Sequence, residues 1–206
     1  MTDDVVFRVG LVAVSVPAPL IQTYFGRRAR PHQAAYGLKR AAFFREGRFN
    51  FILHATLVFG MAALIGVYAA SPRSLRWCAL PIPALWRWFG LILAVLALLG
   101  LVEVHRQLGR YWSAYLELQE NHGLITSGLY SRIRHPMYTM ISLHMIALSM
   151  VSANWLLTAV VAARLVLFFR RMGREEAMLT EHFGDRYRRY MQRTGRLLPR
   201  LRGGGD

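Results

Sequence analysis

The chain has 206 residues, 54% of them hydrophobic, and yet it carries a formal net charge of +15. Apolar content and excess cation together point to spans inside a bilayer with arginines at its edges, and argue against an ordinary soluble domain. The single cysteine, Cys78, excludes an intrachain disulfide and a Cys-based metal site.

The cations are nearly all arginine, with Lys39 the only lysine, and they lie between apolar runs instead of forming one basic domain. Nucleic acid is therefore not expected as a partner. Asp3 and Asp4 stand where a signal peptide would be positive, so no cleavable leader is expected.

The first apolar run extends from about Val5 to Phe25, close to the ~20 residues that a span requires. Pro17 and Pro19 should bend or interrupt it. A basic connector follows, with Arg27, Arg28, Arg30, Lys39, Arg40, Arg45 and Arg48 against Glu46. The second run covers about Phe51 to Ala70. The connector from Ser71 to Trp88 holds Pro72, Pro81 and Pro83, which rule out a continuous helix, and Trp77, Trp86 and Trp88, which suit an interfacial belt. The third run covers about Phe89 to Val104.

Beyond a central polar loop, Tyr138 to Val151 and Trp155 to Phe169 form two apolar segments joined by Ser152, Ala153 and Asn154. So short a break fits a helical hairpin with antiparallel arms. The expected architecture is all-α and integral to the membrane: about five transmembrane helices, a C-terminal helical hairpin and a cytoplasmic binding loop. Arginine asymmetry orients it with the N-terminus out and the C-terminus in, because the Arg-poor connector at 71–88 is left outside. The central loop and the C-terminal segment then face the same compartment.

That central loop, Asn121 to Tyr138, concentrates His122, His135, Arg132, Arg134, Tyr130, Tyr138, Gly123, Gly128 and Pro136. Such chemistry exceeds what a linker needs. Pro136 suits the first turn of a helix, where its missing N–H costs nothing. The first-turn amides would favour an anionic or carbonyl-bearing ligand group. Of the remaining histidines, His54 and His144 fall in apolar runs as core or interhelical residues, and His32, His105 and His182 are expected at the interface.

In the C-terminal segment, Arg170, Arg171 and Arg174 leave the last apolar run, followed by Glu175 and Glu176. An interfacial helix with snorkelling arginines and an Arg171–Glu175 pair accounts for part of this pattern. Arg171 and Glu176, about 140° apart on a regular helix, can instead approach a cleft from two sides. Gly173 between them offers a bend. No His-based metal spacing, Gly-rich phosphate loop or soluble-type dinucleotide fingerprint is present.

Taken together, His122–Tyr130, the Arg134-His135-Pro136-Met137-Tyr138 motif, Arg171 with Glu175-Glu176, the run from Phe183 to Tyr190 and Arg196-Leu-Leu-Pro199 resemble the isoprenylcysteine carboxyl methyltransferase family. That family overlaps with the integral-membrane phospholipid methyltransferases. The resemblance covers roughly residues 108 to 201 in order and spacing; residues 1–107 match only in being spans.

The resemblance implies an S-adenosyl-L-methionine-dependent methyltransferase with its cofactor held at the cytoplasmic face; the expected location is a bacterial inner or plasma membrane. The resemblance also implies that His122, Gly123, Leu124, Ile125, Tyr130, His135, Pro136, Met137 and Tyr138 wrap the cofactor. Glu176 would hold its amino-acid end, and Arg171 would hold the acceptor. Tyr115 stands where the family often has Gln, with Gln119 nearby as a substitute. The expected partners are membrane lipids and a lipidic or small hydrophobic acceptor, with carboxylate, amine and thiol all open. Two other readings are a lipid-binding or assembly protein without activity, and a membrane reductase of the sterol-reductase type.

Overall fold

The computed structural model describes residues 2–29, 47–112 and 123–200. His122, Tyr115 and Gln119 lie outside the described residues, as do His32 and most of the basic connector after Ala29. The described helices are α1 (Thr2–Ser15), α2 (Pro17–Ala29), α3 (Arg48–Ala70), α4 (Ala84–Leu108), α5 (Pro136–Ser152), α6 (Trp155–Phe183) and α7 (Asp185–Arg193).

Three stretches have the length and apolar composition to cross a membrane: Asp4–Ala29, Arg48–Ala70 and Ala84–Leu108. The α5–α6 hairpin supplies the other two arms, with α5, at 17 residues, below the ~20 of a full span. The chain is an all-α integral membrane protein. Its helices expose large apolar side chains such as Val9, Phe59, Leu85, Ile92 and Leu99, as a lipid-facing surface requires.

The first run is interrupted before Pro17, which opens α2 at the position where a missing N–H is harmless. In the second connector the prolines allow only a 3-10 turn, Pro72–Cys78, before α4 begins after Pro83. The third apolar run therefore forms a longer helix than its hydropathy alone marks, with Trp86 and Trp88 in its first turns.

The core joins α1, α3, α4, α5 and α6 through Phe7, Leu11, Ile65, Ala94, Met145, Leu148, Val161 and Phe168. The closest packing is between α4 and α5. Gly90 allows it: a Cβ there would meet Met150 Cβ at 3.0 Å and the Ala147 carbonyl at 3.1 Å. Small residues at such crossings let apolar helices gain close van der Waals contact. Arg87 ties four helices at this end, donating to the Val151 carbonyl at 2.9 Å and the Tyr68 hydroxyl at 2.9 Å, facing Asp4 at 3.3 Å and lying over Phe7.

The hairpin turns on two residues. Ala153 takes the left-handed conformation (φ 46°), and the Asn154 side chain accepts from the Leu156 and Leu157 amides at 3.0 and 3.1 Å. An asparagine cap of this kind contributes about 1 kcal/mol. The Asn154 amide also donates to Cys78 Sγ at 3.0 Å, and Cys78 is fully buried.

One expectation is corrected here. The last apolar segment does not give way to a separate interfacial helix near Phe169; α6 continues through Gly173 to Phe183 as one 29-residue helix. Arg171, Glu175 and Glu176 therefore stand on the same rigid rod that packs the core.

Candidate functional site

The loop before α5 is folded by its own backbone and by the chain's C-terminal stretch. Gly128 (φ 59°) opens a 3-10 turn, Gly128–Ser131, and the Leu129 amide donates to Gln107 Oε1 at 2.9 Å. The Tyr190 hydroxyl on α7 donates to the Tyr130 carbonyl at 2.6 Å. Burial holds the Tyr190 hydroxyl up at about 12 against the opposing charge of Arg134, so it stays a neutral donor.

The C-terminal stretch then lies alongside residues 132–135 as a short parallel pair. The Gly195 amide donates to the Arg132 carbonyl at 3.0 Å, Arg134 N to the Gly195 carbonyl at 2.8 Å, and His135 N to the Arg196 carbonyl at 3.1 Å. Thr139 Oγ1 extends the seam to the Leu197 carbonyl at 2.8 Å. Gly195 has no room for a side chain: a Cβ would sit 1.8 Å from the Leu198 carbonyl oxygen. Pro136 opens α5, as its chemistry demands, and no side chain caps that helix start at His135.

Two carboxylates from α6 meet this loop in different ways. Glu176 is gripped by three basic side chains: Arg134 Nε at 3.1 Å and His135 Nε2 at 3.1 Å on one oxygen, Arg196 Nη2 at 3.2 Å on the other. Burial alone would raise its carboxyl, but the hydrogen bonds from His135 and Arg134 and the neighbouring positive charges outweigh it and hold it at about 2. Arg134 is fixed in turn by the Met191 and Thr194 carbonyls. Glu175 has a lighter set of partners, the Tyr138 hydroxyl at 2.9 Å and His135 Nδ1 at 3.9 Å. His135 thus stands between the two acids, Nε2 toward Glu176 and Nδ1 toward Glu175.

Above this layer lies a cavity of ≈ 290 Å³. Gly123, Leu124, Ile125, Tyr130, His135, Met137, Tyr138 and Arg171, all expected at the site, line it. Pro136 is buried beneath its wall, and Glu176 is set behind it; the acid that faces the cavity is Glu175. The sequence reading did not single out Arg134, Glu175, Trp112, Tyr187 or Arg164 as site residues, yet all of them line the cavity. Arg134 and Glu175 were inside the quoted motifs, so their signal was present. Trp112, Tyr187 and Arg164 carry no local pattern that separates them from packing residues.

Two histidines differ from expectation. His54 is not sealed in the core but lines the cavity from α3. His105 is fully buried instead of interfacial, stacked between Phe25 and Trp112 with Nδ1 at 2.7 Å from the Leu101 carbonyl. His144 is buried in α5 as expected, and His182 is exposed.

Residues 90–181 match the model of the isoprenylcysteine carboxyl methyltransferase family. The cobalt-zinc-cadmium resistance protein CzcN of Cupriavidus metallidurans is 31% identical over 115 residues, 55% of this chain and 52% of that protein. The protein-S-isoprenylcysteine O-methyltransferase of Schizosaccharomyces pombe is 31% identical over 96 residues, 45% of this chain and 41% of the enzyme. The chain thus spans about half the length of the curated relatives it matches. In architecture it is similar to the eukaryotic intramembrane Ras methyltransferase, isoprenylcysteine carboxyl methyltransferase, with a TM-score of 0.52 and 22% identity, over 81% of this chain and 54% of that one. Over residues 90–181, the stretch that builds most of the cavity, the chain is similar to the isoprenylcysteine carboxyl methyltransferase family.

Proposed function

We propose that this protein is an integral-membrane methyltransferase of the isoprenylcysteine carboxyl methyltransferase type, transferring a methyl group from S-adenosyl-L-methionine to a lipidic or small hydrophobic acceptor. The observation that carries the reading is the cavity itself. One cavity is faced by an acid (Glu175), a guanidinium (Arg171), aromatic rings (Tyr111, Trp112) and apolar loop side chains (Leu124, Ile125). These residues fit the cofactor group by group: the acid suits its ammonium and sulfonium, the guanidinium suits a carboxylate, and the rings suit a purine face. The cavity volume lies near the lower end of the range for small-molecule sites.

When bound, the cofactor supplies an electrophilic methyl group on a sulfonium. The protein's task is alignment and exclusion of water, since in-line displacement neutralises charge and needs no covalent help. The Tyr138 hydroxyl holds Glu175 in place at the cavity wall. Glu176 serves as the clamp that fixes Arg134, His135 and the C-terminal stretch. Its part toward the cofactor is therefore indirect, and Glu175 is the direct contact in this reading. Arg171 is assigned to the acceptor, where a carboxylate needs no base near neutral pH because its pKa is ~4. An amine acceptor would first have to lose a proton to a base. His122 belongs to the same proposed shell. The cavity end of the hairpin is assigned to the cytoplasm on the arginine asymmetry of the connectors.

Titration calorimetry of the purified protein with S-adenosyl-L-methionine tests this reading. Micromolar binding that Glu175→Gln weakens at least ~10-fold, the loss of one charge-assisted contact, is expected. Absence of binding would contradict the assignment. It would favour a second reading, prompted by the likeness to CzcN and to the nickel-cobalt-cadmium resistance protein NccN of Alcaligenes xylosoxydans xylosoxydans, 28% identical over 115 residues. In that reading the fold is kept without the chemistry.

A further inference from the structure

Arg164 stands in the apolar part of α6, is only 7% exposed, and lines the cavity. Among the described residues its guanidinium meets no acid. Nη1 lies 3.4 Å from the Met61 thioether, the group sits 5.9 Å from the Phe168 ring centroid, and Nε has no hydrogen-bond partner. Among the described residues no carboxylate lies within ion-pair distance of it. Glu175 shares its helix face but is 11 residues on, about 16 Å along the axis. The same face carries Arg171 between them, two turns from Arg164.

A buried, uncompensated cation in an apolar helix segment is costly, and such residues mark substrate and ion paths. Water in the cavity can solvate the guanidinium while the site is open. An apolar chain entering from the bilayer displaces that water, and the cation then needs an anion brought by the ligand itself.

We propose that Arg164 is a specificity-determining residue that holds an anionic group of the acceptor at bilayer depth. The cavity then selects acidic amphiphiles over neutral ones, whichever atom receives the methyl group. The assignment rests on the methyltransferase reading for the word acceptor, but not for the anion selection. His54 of α3 and Phe168 of α6, whose rings are 6.0 Å apart, form the wall beside it. Since a carboxylate also occurs on the cofactor, the test must separate the two sources.

The probes are hexadecanoate and methyl hexadecanoate, matched in chain and differing in charge. Thermal shift of the purified protein in neutral detergent, at about pH 8.5 so that the acid is ionised, reads their binding. The native protein is expected to be stabilised by the acid more than by the ester. In Arg164→Met that difference should shrink to less than about a third, and the ligand-free variant should melt at or above the native temperature, because an unpaired buried charge has been removed. Arg164→Lys should keep part of the acid preference.

Equal shifts for acid and ester in the native protein, or an acid preference that survives in Arg164→Met, would overturn the proposal. So would a ligand-free Arg164→Met that melts well below the native protein, since Arg164 would then be a structural partner. The S-adenosyl-L-methionine shift, measured on the same samples, should be unchanged by Arg164→Met; its loss would move the anion to the cofactor and remove the acceptor assignment. If the native protein shows acid preference but no shift with S-adenosyl-L-methionine, the anion site stands and the methyltransferase reading falls.

Discussion

Glu175 and Glu176 are adjacent in sequence and opposite in circumstance. Two arginines and a histidine hold Glu176, at 3.1 to 3.2 Å, while Glu175 faces the cavity and accepts from the Tyr138 hydroxyl at 2.9 Å. Their substitutions should separate accordingly. Glu175→Gln is predicted to lose cofactor affinity with little change in melting temperature. Glu176→Gln is predicted to lose stability first, by about 2 kcal/mol, less than a fully buried pair because the carboxylate keeps some contact with water. Calorimetric binding and thermal melting on the same two variants check the division; equal effects of both variants on both readouts would contradict it. The pH dependence has a definite sign. Because the folded Glu176 carboxyl is depressed to about 2 from 4.5, its contribution is complete above about 4.5 and is lost as pH falls toward 2. Glu176→Gln should therefore be less acid-sensitive than the native protein across that window, as melting curves at successive pH values would show.

Among the elements, the irregular C-terminal stretch braces the cavity loop from behind, through residues 132–135 and Glu176. Its seam against residues 132–135 passes through Gly195, where a methyl group would collide with the Leu198 carbonyl. Gly195→Ala is predicted to detach this stretch, reduce cofactor affinity by ~10-fold or more through the freed Arg134 and Arg196, and leave helix content unchanged. Circular dichroism with binding on the same sample would expose an error, namely unchanged affinity.

The elements also show what could be read beforehand. The hairpin break at 152–154, the breaks at Pro17 and at Pro72 to Pro83, and the helix start at Pro136 were legible because proline and short polar breaks act locally. So were the cavity-lining loop residues from Gly123 to Tyr138. The continuity of α6 past Phe169 was not, because hydropathy ends where the charges begin although the helix does not. Nor was the split between the paired acids, which depends on Arg196 arriving from twenty residues further along the chain. His54 reads as a core or interhelical residue, and Arg164 carries no signal of its own in its apolar run, because what faces each of them across the cavity is set by the fold.

For the whole molecule, α5 separates two ends by about 25 Å, the length of 17 helical residues. The turn at Asn154 and Cys78 closes one end and the cavity loop opens at the other. Cys78→Ser should therefore leave activity intact while costing at most ~1 kcal/mol of stability, an outcome that assay and melting together would verify. A dead Cys78→Ser protein would mean that the two ends are coupled through the hairpin.

The most direct test of the whole account is methyl transfer itself. Membranes containing the protein are incubated with methyl-labelled S-adenosyl-L-methionine, the label is followed into lipid, protein and volatile fractions, and its release by mild base is measured. The account predicts label in a hydrophobic acceptor, above a Glu175→Gln control, and release as methanol if the acceptor atom is a carboxylate oxygen; base-stable label would move the acceptor to an amine or thiol. No transfer above that control, with host lipid extracts of every class supplied, would contradict the claim that this cavity performs methyl transfer.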